Sequence, residues 1–268
     1  MNKPLIITFF LTIVALACDA QKLPNIQKES VRAPEKVTID GKFKEWNGRM
    51  LAHNNAAEIT YTIANDDTNL YLVAQAIDQM VMNKILRGGL TLAIQKTGKR
   101  DDKNAAAITF PVSDYGFSIH FSESNQGKLD TSAQTVNALV TNANRLIGEN
   151  VKSMRVKGIS GVDTLLSVYN EDGIKGACQV GFNKVYTVEL CLPLIYLDLS
   201  AADEAKFAYH IILNGYKRAP TFGNFTNMDG TPATGPGAER FMAFVAQMDA
   251  AWSARTDFWG EYTLAKKP

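Results

Sequence analysis

The chain has 268 residues, 46% of them hydrophobic and 21% charged, which is ordinary globular composition. Its 28 basic residues stand against 27 acidic ones, and setting Lys3 aside leaves 27 against 27. That balance excludes a general field for nucleic acid or acidic lipid, and the length suits one domain, since sandwiches reach about 250 residues as a single unit.

Lys3 is the only charge before an apolar run from Leu5 to Ala17. A basic start, a short apolar core and small residues after it read as an export signal over residues 1–20. The run is shorter than the ~20 residues a membrane-spanning helix needs. Two readings of its end stay open. Val14-Ala15-Leu16-Ala17-Cys18 resembles a bacterial lipobox, in which Cys18 takes the lipid and a membrane holds the chain. Alternatively Cys18-Asp19-Ala20 is an ordinary cleavage site, and the product is periplasmic or secreted. Residues 21–35 are polar, contain Pro24 and Pro34, and read as a tether to a domain over 36–268.

Val37 to Asp40 reads as a short first strand closed by Gly41. Ile59, Tyr61 and Ile63 then alternate with Thr60, Thr62 and Ala64. The run Asn65-Asp66-Asp67-Thr68-Asn69 is dense in turn formers. Beyond it Leu70, Leu72, Ala74 and Ala76 share one face, and Tyr71, Val73, Gln75 and Ile77 the other. Period-two patterning on both sides of an Asx-rich turn predicts a hairpin. Leu90 to Ile94 and Ala105 to Phe110 are further strands, the second ended by Pro111. KRDDK, from Lys99 to Lys103, is mixed in sign and reads as a solvated loop.

Leu129 to Ile147 departs from this pattern. Ala133, Val136, Leu139, Val140, Ala143 and Ile147 recur at helical spacing, predicting a helical insertion near 129–148. Strands resume over Val151 to Val156, Thr164 to Tyr169, Ile174 to Val180, Val185 to Leu192 and Ala208 to Tyr216. Pro220 to Gly237 is an irregular loop rich in Gly, Pro, Thr and Asn. Ala238 to Ala254 is helical, with Phe241, Phe244, Val245 and Met248 on one face. Asp257 to Leu264 is the last strand. Many short strands without repeated strand–helix alternation predict an all-β, two-sheet antiparallel β-sandwich, immunoglobulin-like or jelly-roll-like.

Cys178 and Cys191 lie on neighbouring predicted strands. Hairpin register around Asn183-Lys184 puts Cys178 near Glu189, so two buried free thiols are expected rather than a disulfide. Two Cys without clustered His do not make a zinc site. Asp66, Asp67 and Asn69 offer oxygen donors to calcium, but hairpin turns use the same residues, and no cofactor or metal is expected. His53, His120 and His210 stand singly, and none of the HExxH, GxSxG, GxxxxGK or GxGxxG motifs occurs. Glu189 and Glu239 could be paired as glycosidase carboxylates, but any chain offers such pairs. Glu189 is instead expected to hold a neighbouring backbone or an Arg such as Arg240.

VTIDGKFKEW with its Trp46, IANDDTNLYL ending its strand at Asp78, RGGLTLAI, VYTVELCLPL and the closing DFWGEYTL form an ordered set. In this order they resemble the DOMON-like superfamily, close to carbohydrate-binding module family nine, and most of all exported relatives from Bacteroidetes-type bacteria. The resemblance implies the two-sheet sandwich and binding of an oligo- or polysaccharide on aromatic platforms. A sugar ring packs its C–H face on an indole or phenol while its hydroxyls find polar partners. Trp46 is assigned to the core or to a plug over the sandwich end, and Trp259 to the core. Trp252 is the foremost platform candidate, and Tyr115, Phe222, Phe225 and Arg240 complete the ligand-binding set. Phe117 shares the loop of Tyr115. The expectation is a non-catalytic carbohydrate-binding protein of the cell envelope. Its rivals are a protein-interaction or structural module of an envelope complex, an accessory domain of a glycoside hydrolase, a hydrolase, and a haem-binding relative using Met228, Met242 or Met248.

Overall fold

The computed structural model describes residues 22–113, 117–121, 123–125, 128–202, 206–216, 231 and 233–267. In chain order the elements begin with β1 (Ala52–Asn54), β2 (Ile59–Asn65), β3 (Asn69–Ala76), α1 (Gln79–Gly88), β4 (Leu90–Gln95) and β5 (Ala106–Val112). A small hairpin, β6 (Glu123–Asn125) and β7 (Lys128–Asp130), precedes α2 (Ala133–Asn150). Next come β8 (Ser153–Lys157), β9 (Leu165–Ser167), β10 (Lys175–Val180) and β11 (Tyr186–Pro193). After one 3₁₀ turn, β12 (Lys206–Leu213), α3 (Pro236–Ser253) and β13 (Thr256–Thr263) complete the fold.

Two antiparallel sheets face each other. One has the order β1-β2-β3-β11-β10 and the other β13-β12-β4-β5-β8-β9. This is the β-sandwich expected from the patterning. Inward residues of both sheets, such as Ile63, Leu72, Leu190, Leu92, Ile108 and Ile211, form one core. Each such side chain contributes about 1.5–3 kcal/mol by leaving water. Helix α2 adds Val136, Val140, Ala143 and Ile147 to that core, and Asn144 both donates to and accepts from the Val180 backbone at 2.8 Å. The predicted helix is therefore a structural wall between the sheets.

The hairpin over residues 59–76 forms as its alternation dictates. Asp66 shapes its turn: Oδ1 accepts the Thr68 and Asn69 amides at 2.7 and 2.6 Å, and Oδ2 accepts the Tyr71 hydroxyl at 2.7 Å. Beside it Asp67 pairs with Arg32 at 2.7 Å. Because Tyr71 and Val73 sit under a second small cluster with Val31 and Trp46, this sheet is covered on both faces.

Several expectations change. Val37–Asp40 is not a strand; it belongs to a strap over the outer face of the first sheet, where the Asp40 and Gly41 amides donate to the Glu189 carboxylate rather than to a ladder. The first strand is the short β1. Helix α1 was not expected: Asp78 caps it by accepting the Met80 and Val81 amides. β5 runs on through Pro111 to Val112, with a register shift against β8. Residues 24–33, expected as tether, lie against the domain. Gln27 is buried, its amide donates to Tyr61 Oη at 3.0 Å, and its side chain bonds Ile63 at both ends. Cys178 faces Val188, not Glu189, and sits in the main core, whereas Cys191 sits in the outer cluster. Opposite faces of one sheet keep the two thiols apart, and both are free. Burial pushes each up to about 12.

Candidate functional site

Three aromatic regions compete, and the first is closed. Trp46 is 4% exposed, and its indole nitrogen donates to Glu189 Oε1 at 2.8 Å. Glu189 Oε2 accepts the Asp40 and Gly41 amides at 3.0 and 2.8 Å. Gly41 holds φ at 79°, a conformation glycine adopts without cost. Burial raises the Glu189 carboxyl, and the three N–H donors act in the opposite direction. Both carboxylate oxygens are thus committed to the IDG strap and to Trp46. The expectation that Glu189 holds a neighbouring backbone is met, its partner being Asp40-Gly41 rather than Arg240. The same commitment removes Glu189 as a glycosidase carboxylate.

A second region lies at the end of the sandwich where β12 leaves its sheet. There the Arg87 guanidinium carbon lies 4.3 Å from the centroid of the Tyr216 ring. Tyr216 in turn stacks with Trp252, with centroids 6.2 Å apart and planes 19° from parallel. Backbone geometry fixes this group: the Tyr216 amide donates to the Trp252 carbonyl at 3.1 Å. Gly215 lets the chain pass so close to Ser253 that a Cβ would collide with the Ser253 carbonyl. One turn before Arg87, Lys84 donates to Thr256 Oγ1 at 3.2 Å, and burial lowers its ammonium pKa. A half-buried aromatic pair with two cationic donors beside it suits a ring with a C–H face and hydroxyl rims.

The third region is the outer face of the second sheet. His210, 2% exposed, offers Nδ1 to Asp102 Oδ1 at 2.8 Å and Nε2 to Asp257 Oδ1 at 3.0 Å. Burial pushes the Asp257 carboxyl up, but His210 and Arg255 outweigh this and hold it below the usual carboxylate range. Trp259 stacks on the imidazole at 4.0 Å, with an interplanar angle of 18°. Trp259 is therefore not core: the inward neighbour is Phe258, and strand alternation alone did not decide between them. With both ring nitrogens and one ring face occupied, His210 is a cross-brace between the 96–105 loop and β13, not a general base.

Of the predicted ligand-binding residues, the structure places Trp252 in the second region. Arg240 is exposed on α3, away from the Glu189 carboxylate it was paired with. Tyr115, Phe222, Phe225 and Met228 lie outside the described residues. Helix α3 half-buries Phe241, Val245, Met248 and Trp252, while Phe244 is 58% exposed, so Phe244 does not share their face. Tyr216 and Arg87 were not singled out beforehand. Tyr216 closes a long apolar strand, and Arg87 lies in a helix hidden by a sequence without an acidic first turn. Among the described residues no helix is long and apolar enough to cross a membrane.

No family model matches the chain, and no curated protein matches it. Among solved structures, it is similar to a carbohydrate-binding module of family 9 from Caldicellulosiruptor kristjanssonii, solved in complex with glucose. The match covers 90% of this chain and 97% of that one, at 9% identity and a TM-score of 0.36. The glucose belongs to that protein, and a likeness at this score carries no argument about a site here.

Proposed function

We propose that this chain is a non-catalytic carbohydrate-binding protein of the DOMON-like, family-nine-like kind. In this reading it is exported in a Bacteroidetes-type cell and held at the envelope by lipid on Cys18. The observation that supports saccharide binding is the Arg87–Tyr216–Trp252 group. It joins an aromatic surface to the cationic donors of Arg87 and Lys84 at a rigidly held sheet end. A pyranose lays its C–H face on the rings and accepts hydrogen bonds from the cations at its hydroxyls.

The test is a glycan array with the protein purified from Lys22 onward, covering plant, host and bacterial glycans. Binding to a defined subset of the neutral glycans is expected, and Trp252→Ala should remove it. Silence across the whole array overturns the reading. Unchanged binding by Trp252→Ala removes the site. A second reading, an interaction module, is favoured by Met242 and Phe244 standing exposed on α3. Their replacement by Gln leaves glycan binding unchanged and abolishes partner recruitment in that case.

A further inference from the structure

A groove runs between the C-terminal end of α2, the turn after β9, and edge strand β10. Its volume is ≈ 530 Å³, at the scale of a small ligand. The floor is apolar, formed by Phe110, Ile147, Val151 and Cys178, all buried. Gly176 seats directly on the Phe110 ring, since a Cβ there would lie 2.8 Å from it. The polar rim is formed by Lys152, Tyr169, Asn170 and Lys175.

Three features of that rim converge. Tyr169 is 75% exposed, an unusual state for a large aromatic side chain. Lys152 stands beside it, with Nζ 5.7 Å from the ring centroid and 3.4 Å from the hydroxyl. Lys152 and Lys175 are the only charged residues lining the groove among the described residues, so its lining is cationic although the whole chain is balanced. Asn170 is held rigidly, its Nδ2 donating to the Ser167 and Ile174 carbonyls at 2.7 Å each. Those two acceptors fix the amide orientation and leave Oδ1 buried without a donor. The groove wall thus holds an acceptor short of one hydrogen bond.

We propose that this groove is a second saccharide site, specific for an acidic sugar of the uronate class. The sugar's C–H face packs on Tyr169, and its carboxylate pairs with Lys152 and Lys175 on the rim that Asn170 holds in place. The site deepens the carbohydrate-binding reading but shares no residue with the Arg87–Tyr216–Trp252 group, so the two stand or fall separately.

The experiment is calorimetric titration of the full chain in detergent with three probes: an oligogalacturonide, a neutral galacto-oligosaccharide of equal length, and oligoglutamate. The oligogalacturonide is expected to bind, to weaken about tenfold in the Lys152→Ala/Lys175→Ala double variant, and to weaken as salt rises. Tyr169→Ala should weaken it as well, whereas Trp252→Ala should leave it unchanged. Equal affinity for the neutral oligomer, or for oligoglutamate, overturns the uronate assignment. Full binding by the double lysine variant overturns the site. All three side chains are solvent-facing, and an unchanged thermal melt confirms that the variants fold. Loss of array binding in Trp252→Ala with intact uronate binding identifies the two sites as independent.

Discussion

Trp46 and Trp252 are the same residue type in opposite circumstances, and the contrast separates scaffold from site. Around Trp46 the indole nitrogen, two strap amides and both oxygens of Glu189 form one closed set. Around Trp252 the rings are half-buried, and the neighbouring cations, Arg87 and Lys84, face no carboxylate among their described partners. A saturated aromatic region rigidifies a fold. In the proposed reading, an aromatic surface with cations beside it is where a ligand would bind.

The largest expected effect comes from breaking the saturated side. Glu189→Ala leaves the Trp46 indole and two backbone amides buried and unpaired, and should cost about 3–5 kcal/mol in urea unfolding. A loss under about 1 kcal/mol would mean that the strap peels away freely, and the contrast would collapse. Next comes Gly215→Ala, which drives a Cβ into the Ser253 carbonyl. Overpacking of this kind costs about 1–3 kcal/mol, and glycan binding should fall with it because Tyr216 and Trp252 separate. Retained binding would show that the pairing of those two rings is not needed. The smallest effect is titrimetric. Burial pushes the Asp66 carboxyl up, but the bonds from Tyr71, Thr68 and Asn69 prevail and lower it. Its contribution is present above the unfolded carboxylate pKa and is lost as pH falls through the folded value. Stability should therefore decline below about pH 4, with a shallower decline in Asp66→Asn. Identical acid profiles would remove Asp66 from the account of the turn.

The hairpin was legible because period-two alternation and an Asx turn are local signals. Trp46 was legible as scaffold because it travels with the IDG segment. Helix α1 was not, since its apolar residues Met80, Val81, Met82, Ile85 and Leu86 occupy one short segment directly after a strand, and Asp78 reads equally well as a strand end or a cap. Val37–Asp40 has the composition of a strand, yet the Asp40 amide and that of Gly41 after it go to Glu189, 149 and 148 positions away, a pairing no local window contains. Trp259 and Phe258 alternate in either register, so only the packed sheet shows which one faces in. The uronate groove was invisible for the same reason: α2, β9 and β10 supply it from separate stretches, and none carries a motif.

Tyr61 and Tyr209 meet hydroxyl to hydroxyl at 2.9 Å in the middle of the core, one from each sheet. Gln27 closes that contact, its amide donating to the Tyr61 oxygen. The alignment of one layer over the other is thus recorded by a residue 25 positions ahead of the first strand. Trimming the chain to its first strand would keep every sheet residue and still erase the mark by which the layers find their register.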